Sequence, residues 1–187
     1  MNKILTELFW FVVDTLEVIL LAFVFYLILH KFVFELHLVD GDSMLPNLHN
    51  KEFLITNKTS KFKGFNRGDI IIFEYPKNPE KEFVKRIIGL PNETIEVKSG
   101  KVFIYSKENP SGLELNESYL PSDVYTEGKT FLKDSSKVQI PENNYAVFGD
   151  NREVSSDSRV WGFVPLKNII GTAWYRIWPL SQIKKLN

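Results

Sequence analysis

Between Leu8 and Leu29 the chain runs for 22 residues with only Asp14, Thr15 and Glu17 polar, and no other feature constrains the fold as strongly. As a helix at about 1.5 Å per residue the stretch reaches roughly 33 Å, enough to cross the core of a bilayer. Its uninterrupted apolar part, Val18 to Leu29, is only 12 residues long, a length that also suits a helix buried in a protein core. Asp14 and Glu17 are costly at mid-bilayer but tolerable near an interface, where Trp10 is also at home. A cleavable leader fits poorly: Ala22 is the only Ala before Ala146, so no small-x-small processing site follows the apolar run. The stretch therefore reads as an N-terminal tail, 1–7, followed by an uncleaved single-pass anchor, 8–31. Lys3 and Lys31 flank it, too small a difference to set its orientation.

Beyond the anchor the pattern is β. Runs at Phe53–Thr56, Asp69–Phe73, Phe83–Ile88, Thr94–Val97, Lys101–Tyr105 and Tyr145–Phe148 are rich in Ile, Val, Phe and Tyr and are bounded by Gly, Pro and Asn, the composition of short strands. Ser99-Gly100 between two of them predicts a tight hairpin. Residues 106–144 are more polar and carry Pro110, Pro121 and Pro141, as a loop-heavy segment would. The 23 basic residues are balanced by 23 acidic ones, which opposes a nucleic-acid partner. With no Cys in the chain, disulfides, thiolate–zinc sites and a thiol nucleophile are all excluded.

Three polar segments interrupt this β pattern: Gly41-Asp42-Ser43-Met44-Leu45-Pro46, Phe83-Val84-Lys85-Arg86-Ile87-Ile88, and Gly149-Asp150-Asn151-Arg152 running on to Ser155-Ser156-Asp157-Ser158-Arg159. Singly they read as a turn, a charged strand and a self-paired polar loop. Together they offer a serine and a base. Serine is a weak nucleophile until a neighbour takes its proton. His37 and His49 each lie six residues from Ser43, so a histidine base stays open. A lysine serves equally well if burial in apolar surroundings makes it neutral. Strand alternation puts Lys85 on one face and Arg86 on the other without saying which is buried. Chemistry favours Lys85, because arginine keeps its proton.

Four motifs in this order resemble those of the type I signal peptidases: Ser43-Met44-x-Pro46 after an N-terminal anchor, Arg67-Gly68-Asp69-Ile70, Lys85-Arg86-Ile87-Ile88-Gly89-Leu90-Pro91, and Gly149-Asp150-Asn151-Arg152 with Ser155-x-Asp157-Ser158-Arg159. Asn116-Glu117-Ser118-Tyr119-Leu120 and Trp161-Gly162-Phe163-Val164-Pro165 are smaller echoes. The resemblance implies a mainly β, antiparallel catalytic domain formed by 36–92 and 145–187, with a small non-catalytic β insertion at 93–144. It implies Ser43 as nucleophile, Lys85 as general base and Ser155 as the hydroxyl that orients the lysine. Asp150, Arg152, Asp157 and Arg159 would form an ion-pair scaffold beside them. No metal or cofactor is implied. Two departures stand out. Gly41 occupies a position where some members carry a hydroxyl that serves the oxyanion hole, and Pro91-Asn92-Glu93 replaces a common Gly-Asp turn.

The implied partners are exported precursor proteins, cut after a small-x-small sequence, and membrane lipid. The implied location is the plasma membrane, with the catalytic domain on its extracytoplasmic side. Shallow apolar pockets suit small residues, since a larger side chain clashes. Val39, Met44, Leu48, Phe83 and Val84 are the expected lining. The late aromatic residues Trp161, Phe163, Trp174, Tyr175 and Trp178 read as core, or in part as a membrane-facing edge. A repressor-type Ser–Lys protease and a non-enzymatic membrane-anchored β module are the alternatives.

Overall fold

The structure, a computed structural model, describes residues 3–186. The chain opens with one 30-residue helix, α1 (Lys3–Phe32). None of its residues is buried, and its mean hydropathy of 2.4 over an 18-residue window leaves it long and apolar enough to span a bilayer. It is not a core helix of the domain that follows. The tail expected at 1–7 is not a separate element: residues 3–7 already lie in the helix, and residues 1 and 2 fall outside the described residues.

Two antiparallel sheets follow. In chain order the strands are β1 (Phe34–Leu38), β2 (Phe53–Asn57), β3 (Ile70–Tyr75), β4 (Asn78–Gly89), β5 (Thr94–Lys98), β6 (Lys101–Tyr105), β7 (Leu113–Glu114), β8 (Val138–Gln139), β9 (Asn144–Phe148), β10 (Val164–Pro165), β11 (Ile169–Trp178) and β12 (Lys184–Lys185). The large sheet runs β1-β2-β11-β3-β4-β9-β10, with β12 on β11, and the small one runs β7-β6-β5-β8. Among the described residues, two four-residue helices, α2 (Ser60–Lys63) and α3 (Ser158–Trp161), and two short 3-10 turns, Leu166–Asn168 and Leu180–Gln182, complete the set. The fold is mainly β, preceded by one apolar helix.

Local chemistry accounts for these elements. In β3 the run Ile70-Ile71-Ile72-Phe73 is buried throughout, as expected of a central strand covered on both faces, whereas β2 alternates. Ser99 and Gly100 take φ of +52° and +80°, the pair of left-handed residues that closes a two-residue hairpin with the right twist. Asn92 sits at φ +68°, a conformation that asparagine tolerates in place of glycine.

Three clusters form the core. One packs Ile71, Phe73 and Ile87 against Val147 and Trp161. A second joins the sheets, with Ile95, Val97 and Val102 of the small sheet against Ile88, Ala146 and Phe148 of the large one. The small sheet therefore shares its core with the large one and has no separate interior. The third packs Val39, Met44 and Leu48 on Leu54, Ile70, Ile72 and Ala173. The late aromatics divide: Trp161 is buried at 8 %, while Trp174 and Trp178 are exposed at 38 % and 49 %. Trp174 stacks on Phe34, just past the end of α1, with ring centroids 5.5 Å apart.

Candidate active site

Ser43 lies on the turn between β1 and β2. Gly41 enters that turn at φ +104° with open space where a side chain would be, so the backbone conformation, not crowding, favours glycine there. Met44 and Leu48, expected to line a pocket, instead face inward at 1 % and 0 % exposure. They pin the turn to the core: Leu48 N–H closes a helical turn on the Met44 carbonyl at 2.9 Å. The other side of the turn is held by the 149–159 loop. Asn151 donates its N–H to the Ser43 carbonyl at 3.0 Å and its side-chain amide to the Asp42 carbonyl at 3.2 Å.

β4 pairs with β3 so that Lys85 stands opposite Ile71 and Arg86 opposite Ile70. Both side chains are buried, at 4 % and 7 % exposure, so the choice that strand alternation posed does not arise. Lys85 Nζ lies 2.6 Å from Ser43 Oγ and donates to the Val84 carbonyl at 3.0 Å. Burial pushes its pKa from 10.5 down to about 8, against the pull of Asp157 and then Asp150. At that value a substantial fraction is neutral near pH 8, and a neutral amine 2.6 Å from a hydroxyl can take its proton. Neither candidate histidine is so placed. His37 Nδ1 bonds Thr56 Oγ1 at 2.9 Å, and His49 faces Glu52 at 3.5 Å.

The ion pairs differ from those expected. Asp157 and Arg159 do pair, through Nε and Nη2 at 2.9 and 2.8 Å, both fully buried. Asp157 also caps α3, accepting from Arg159 N–H, and takes the Gly149 N–H at 3.0 Å. Burial alone would raise its carboxyl, but Arg159 and the Gly149 N–H outweigh that and hold it below its ordinary value. Asp150 pairs with Arg86 in a fork at 2.8 and 2.7 Å, not with Arg152. Arg152 pairs with Glu117 of the insertion.

Ser155 is fully buried. Its hydroxyl lies close enough to Asp157 to favour the carboxylate, yet it makes no hydrogen bond of normal geometry. The hydrogen bonds of Lys85 go to Ser43 and Val84, so the expected Ser155–lysine bond is not formed here. Gly149 explains how near the loop comes: a Cβ there would collide with Ser155 and with the Ser43 carbonyl.

Beside the serine a cleft of about 520 Å³ runs between the 37–43 segment and β4. Val39, Phe83 and Val84 are among its lining residues, and Leu54 and Ile72 supply the floor that Met44 and Leu48 do not. His37 and Glu82 bring a polar pair to the same cleft, 3.3 Å apart. Neither the place of Glu117 nor the partnership of Arg86 with Asp150 is legible from strand pattern, and the Asn116–Leu120 echo is the one signal in the chain that points to the former.

Residues 12–178 match the family model described as signal peptidase, peptidase S26. Signal peptidase I S of Bacillus subtilis is 36% identical over 182 residues, covering 94% of each chain. Signal peptidase IB of Staphylococcus aureus is 34% identical over 173 residues, covering 89% of each. The crystal structure of a signal peptidase I from Enterococcus faecalis aligns at 30% identity with a TM-score of 0.47, covering 58% of this chain and 96% of that one. The chain is a member of the signal peptidase, peptidase S26, family.

Proposed function

We propose that this protein is a membrane-anchored serine endopeptidase that removes N-terminal signal peptides from exported precursors, with Ser43 as nucleophile and Lys85 as general base. One observation carries the reading: Lys85, 4 % exposed, places its Nζ 2.6 Å from Ser43 Oγ. In the first step neutral Lys85 takes the Ser43 proton while Oγ bonds to the scissile carbonyl carbon. The Ser43 N–H stabilises the oxyanion, and protonated Lys85 then passes its proton to the departing amine. The signal peptide is left as an ester on Ser43. Water, deprotonated by the same lysine, attacks that ester and frees both the signal peptide and the enzyme.

Asp157 and Asp150 oppose the drop in the lysine's pKa. Their pairing with Arg159 and Arg86 keeps that opposition modest, since a paired carboxylate presents little net charge. The cleft wall of Val39, Phe83 and Val84 suits a small-x-small cleavage sequence. Helix α1 would cross the plasma membrane once, with the β domain on the extracytoplasmic face. Fusing a reporter to the C-terminus tests this side, and reporter activity confined to the cytoplasm would reject it. The chemistry is tested with Ser43→Ala and Lys85→Ala on a precursor bearing a cleavable signal. Both are expected to lose turnover while staying folded, and wild-type cleavage by either would refute the dyad.

A further inference from the structure

The small sheet lies between β4 and β9 in the chain, and from 115 to 137 the insertion carries no strand or helix. This irregular stretch nevertheless reaches the loop beside Ser43 through buried charge. Arg152, 2 % exposed, is the meeting point. Its Nη1 donates to Glu117 Oε2 at 2.8 Å and Thr126 Oγ1 at 2.7 Å, and its Nη2 donates to Glu117 Oε1. Two further bonds tie the same residue into the loop. Arg152 Nε donates to the Gly149 carbonyl at 3.1 Å, and the Arg152 carbonyl accepts from Arg159 Nη2 at 2.7 Å.

Tyr119 makes a second connection. Its hydroxyl donates to Glu117 Oε1 at 2.5 Å, and its ring lies under the Arg86 guanidinium at 4.0 Å. Asn47 donates to both the Tyr119 carbonyl and Asp150 Oδ2, at 2.9 and 2.8 Å. Glu117, Asp150 and Asp157 thus face Arg152, Arg86 and Arg159 one for one. Each carboxylate and guanidinium sits where an unpartnered charge would be costly. The insertion supplies one of the three carboxylates, and without it Arg152 loses its ion-pair partner.

We propose that Glu117 is a positioning residue for the reaction at Ser43. By holding Arg152 it fixes the Gly149–Arg159 segment, and with it the Ser43 carbonyl bonded to Asn151 and the carboxylates facing Lys85. The inference rests on the Ser43–Lys85 reading. Glu117 touches neither substrate nor the reacting atoms, so its effect is on geometry and local charge. A loop displaced by about 1 Å can cost a hundredfold in rate, and the cleft that binds the precursor is lined by other residues.

The experiment measures kcat, KM, melting temperature and the pH dependence of kcat/KM for the full-length protein in detergent, comparing wild type with Glu117→Gln and Tyr119→Phe. For Glu117→Gln, kcat is expected to fall about tenfold or more with KM within about twofold, the signature of an interaction that serves the transition state alone. Removing one negative charge from a set that faces Lys85 through Asp150, Asp157, Arg86, Arg152 and Arg159 also moves the acid limb of kcat/KM to lower pH. Tyr119→Phe keeps the ring under Arg86 and is expected to show a smaller fall. A folded Glu117→Gln with wild-type kcat and an unmoved limb overturns the proposal. So does a loss of kcat that merely tracks melting temperature with the limb in place. If Glu117→Gln does not fold, Glu117→Gln with Arg152→Met removes both charges together. A folded double variant with wild-type kcat then overturns the proposal, and one with depressed kcat supports it. Ser43→Ala, run alongside, separates the two ideas: its retained activity would sink the dyad, whatever Glu117 does.

Discussion

Replacing Lys85 with Met should abolish cleavage and leave a protein whose stability responds differently to pH. The lysine is buried and its pKa is lowered from 10.5 to about 8 on folding. Between those values the unfolded chain holds a proton that the folded one has released, so wild-type stability rises with pH across that window. A protonated Lys85 near pH 7 therefore costs about 3 kcal/mol relative to the high-pH limit. By about pH 9.5 the cost has fallen to about 1.4 kcal/mol, a change of about 2 kcal/mol. Met carries no such term. Losing the bonds to Ser43 and Val84 shifts the variant by about 1 kcal/mol each, but that offset does not depend on pH, and the other titrating groups cancel in the difference. Urea unfolding of wild type and Lys85→Met, followed in detergent at several pH values, measures the difference directly. Stability of Met relative to wild type should be greatest near neutrality and shrink by about 2 kcal/mol toward pH 9.5. A difference that stays flat to within about 0.5 kcal/mol, or that grows with pH, would mean that Lys85 is not desolvated as described, and the case for a neutral base would fall with it.

With Lys85 as the proposed base, kcat/KM should rise with pH through about 8, and a limb near 6 would point to a histidine instead. Gly149→Ala should lower kcat at least about tenfold, because its Cβ meets the Ser43 carbonyl and Ser155. Wild-type turnover would show that the loop can yield. Arg86→Met leaves Asp150 buried without its fork and should cost about 3–5 kcal/mol in denaturant unfolding. Leu48→Ala should cost about 2–5 kcal/mol with KM unchanged, whereas Phe83→Ala should alter the preference among precursor cleavage sites. A specificity change in the former and none in the latter would reverse their assignment to core and cleft.

What was legible in the chain followed from patterns of short range. The apolar run of α1, the buried β3 and the Ser99-Gly100 hairpin each depend on residues within a few positions of one another. β11 escaped notice because its register shifts between Ala173 and Tyr175 and again between Arg176 and Trp178, breaking the alternation by which a strand is read. Met44 and Leu48 depart from the expected pocket for a related reason. Ser43-Met44-Leu45-Pro46 reads as a turn, and a turn offers no period to say which side chains face inward. Met44 and Leu48 are apolar because they anchor the serine from beneath, not because they meet substrate. Ion pairs were the least legible of all. Asp150 and Arg152 are two residues apart, but one pairs with Arg86 on β4 and the other with Glu117 in the insertion.

That crossed pairing bears on how a lysine can be kept neutral among so many charges. Lys85 is flanked in sequence by Arg86 and has Asp157 and Asp150 near enough to raise its pKa. Either carboxylate left free would hold the proton on the amine and disable it as a base. Engaging Asp150 in the Arg86 fork and Asp157 in the Arg159 fork turns two opposing charges into near-neutral pairs, and burial then dominates. Arg159 and Arg86 each have their partner, and the remaining guanidinium in the loop, Arg152, is matched from outside it. The insertion's Glu117 provides that match. The Asp150–Arg86 and Asp157–Arg159 forks are therefore better understood as the means by which desolvation prevails at Lys85 than as reinforcement of the fold, since replacing a buried pair with apolar residues is often neutral or stabilising.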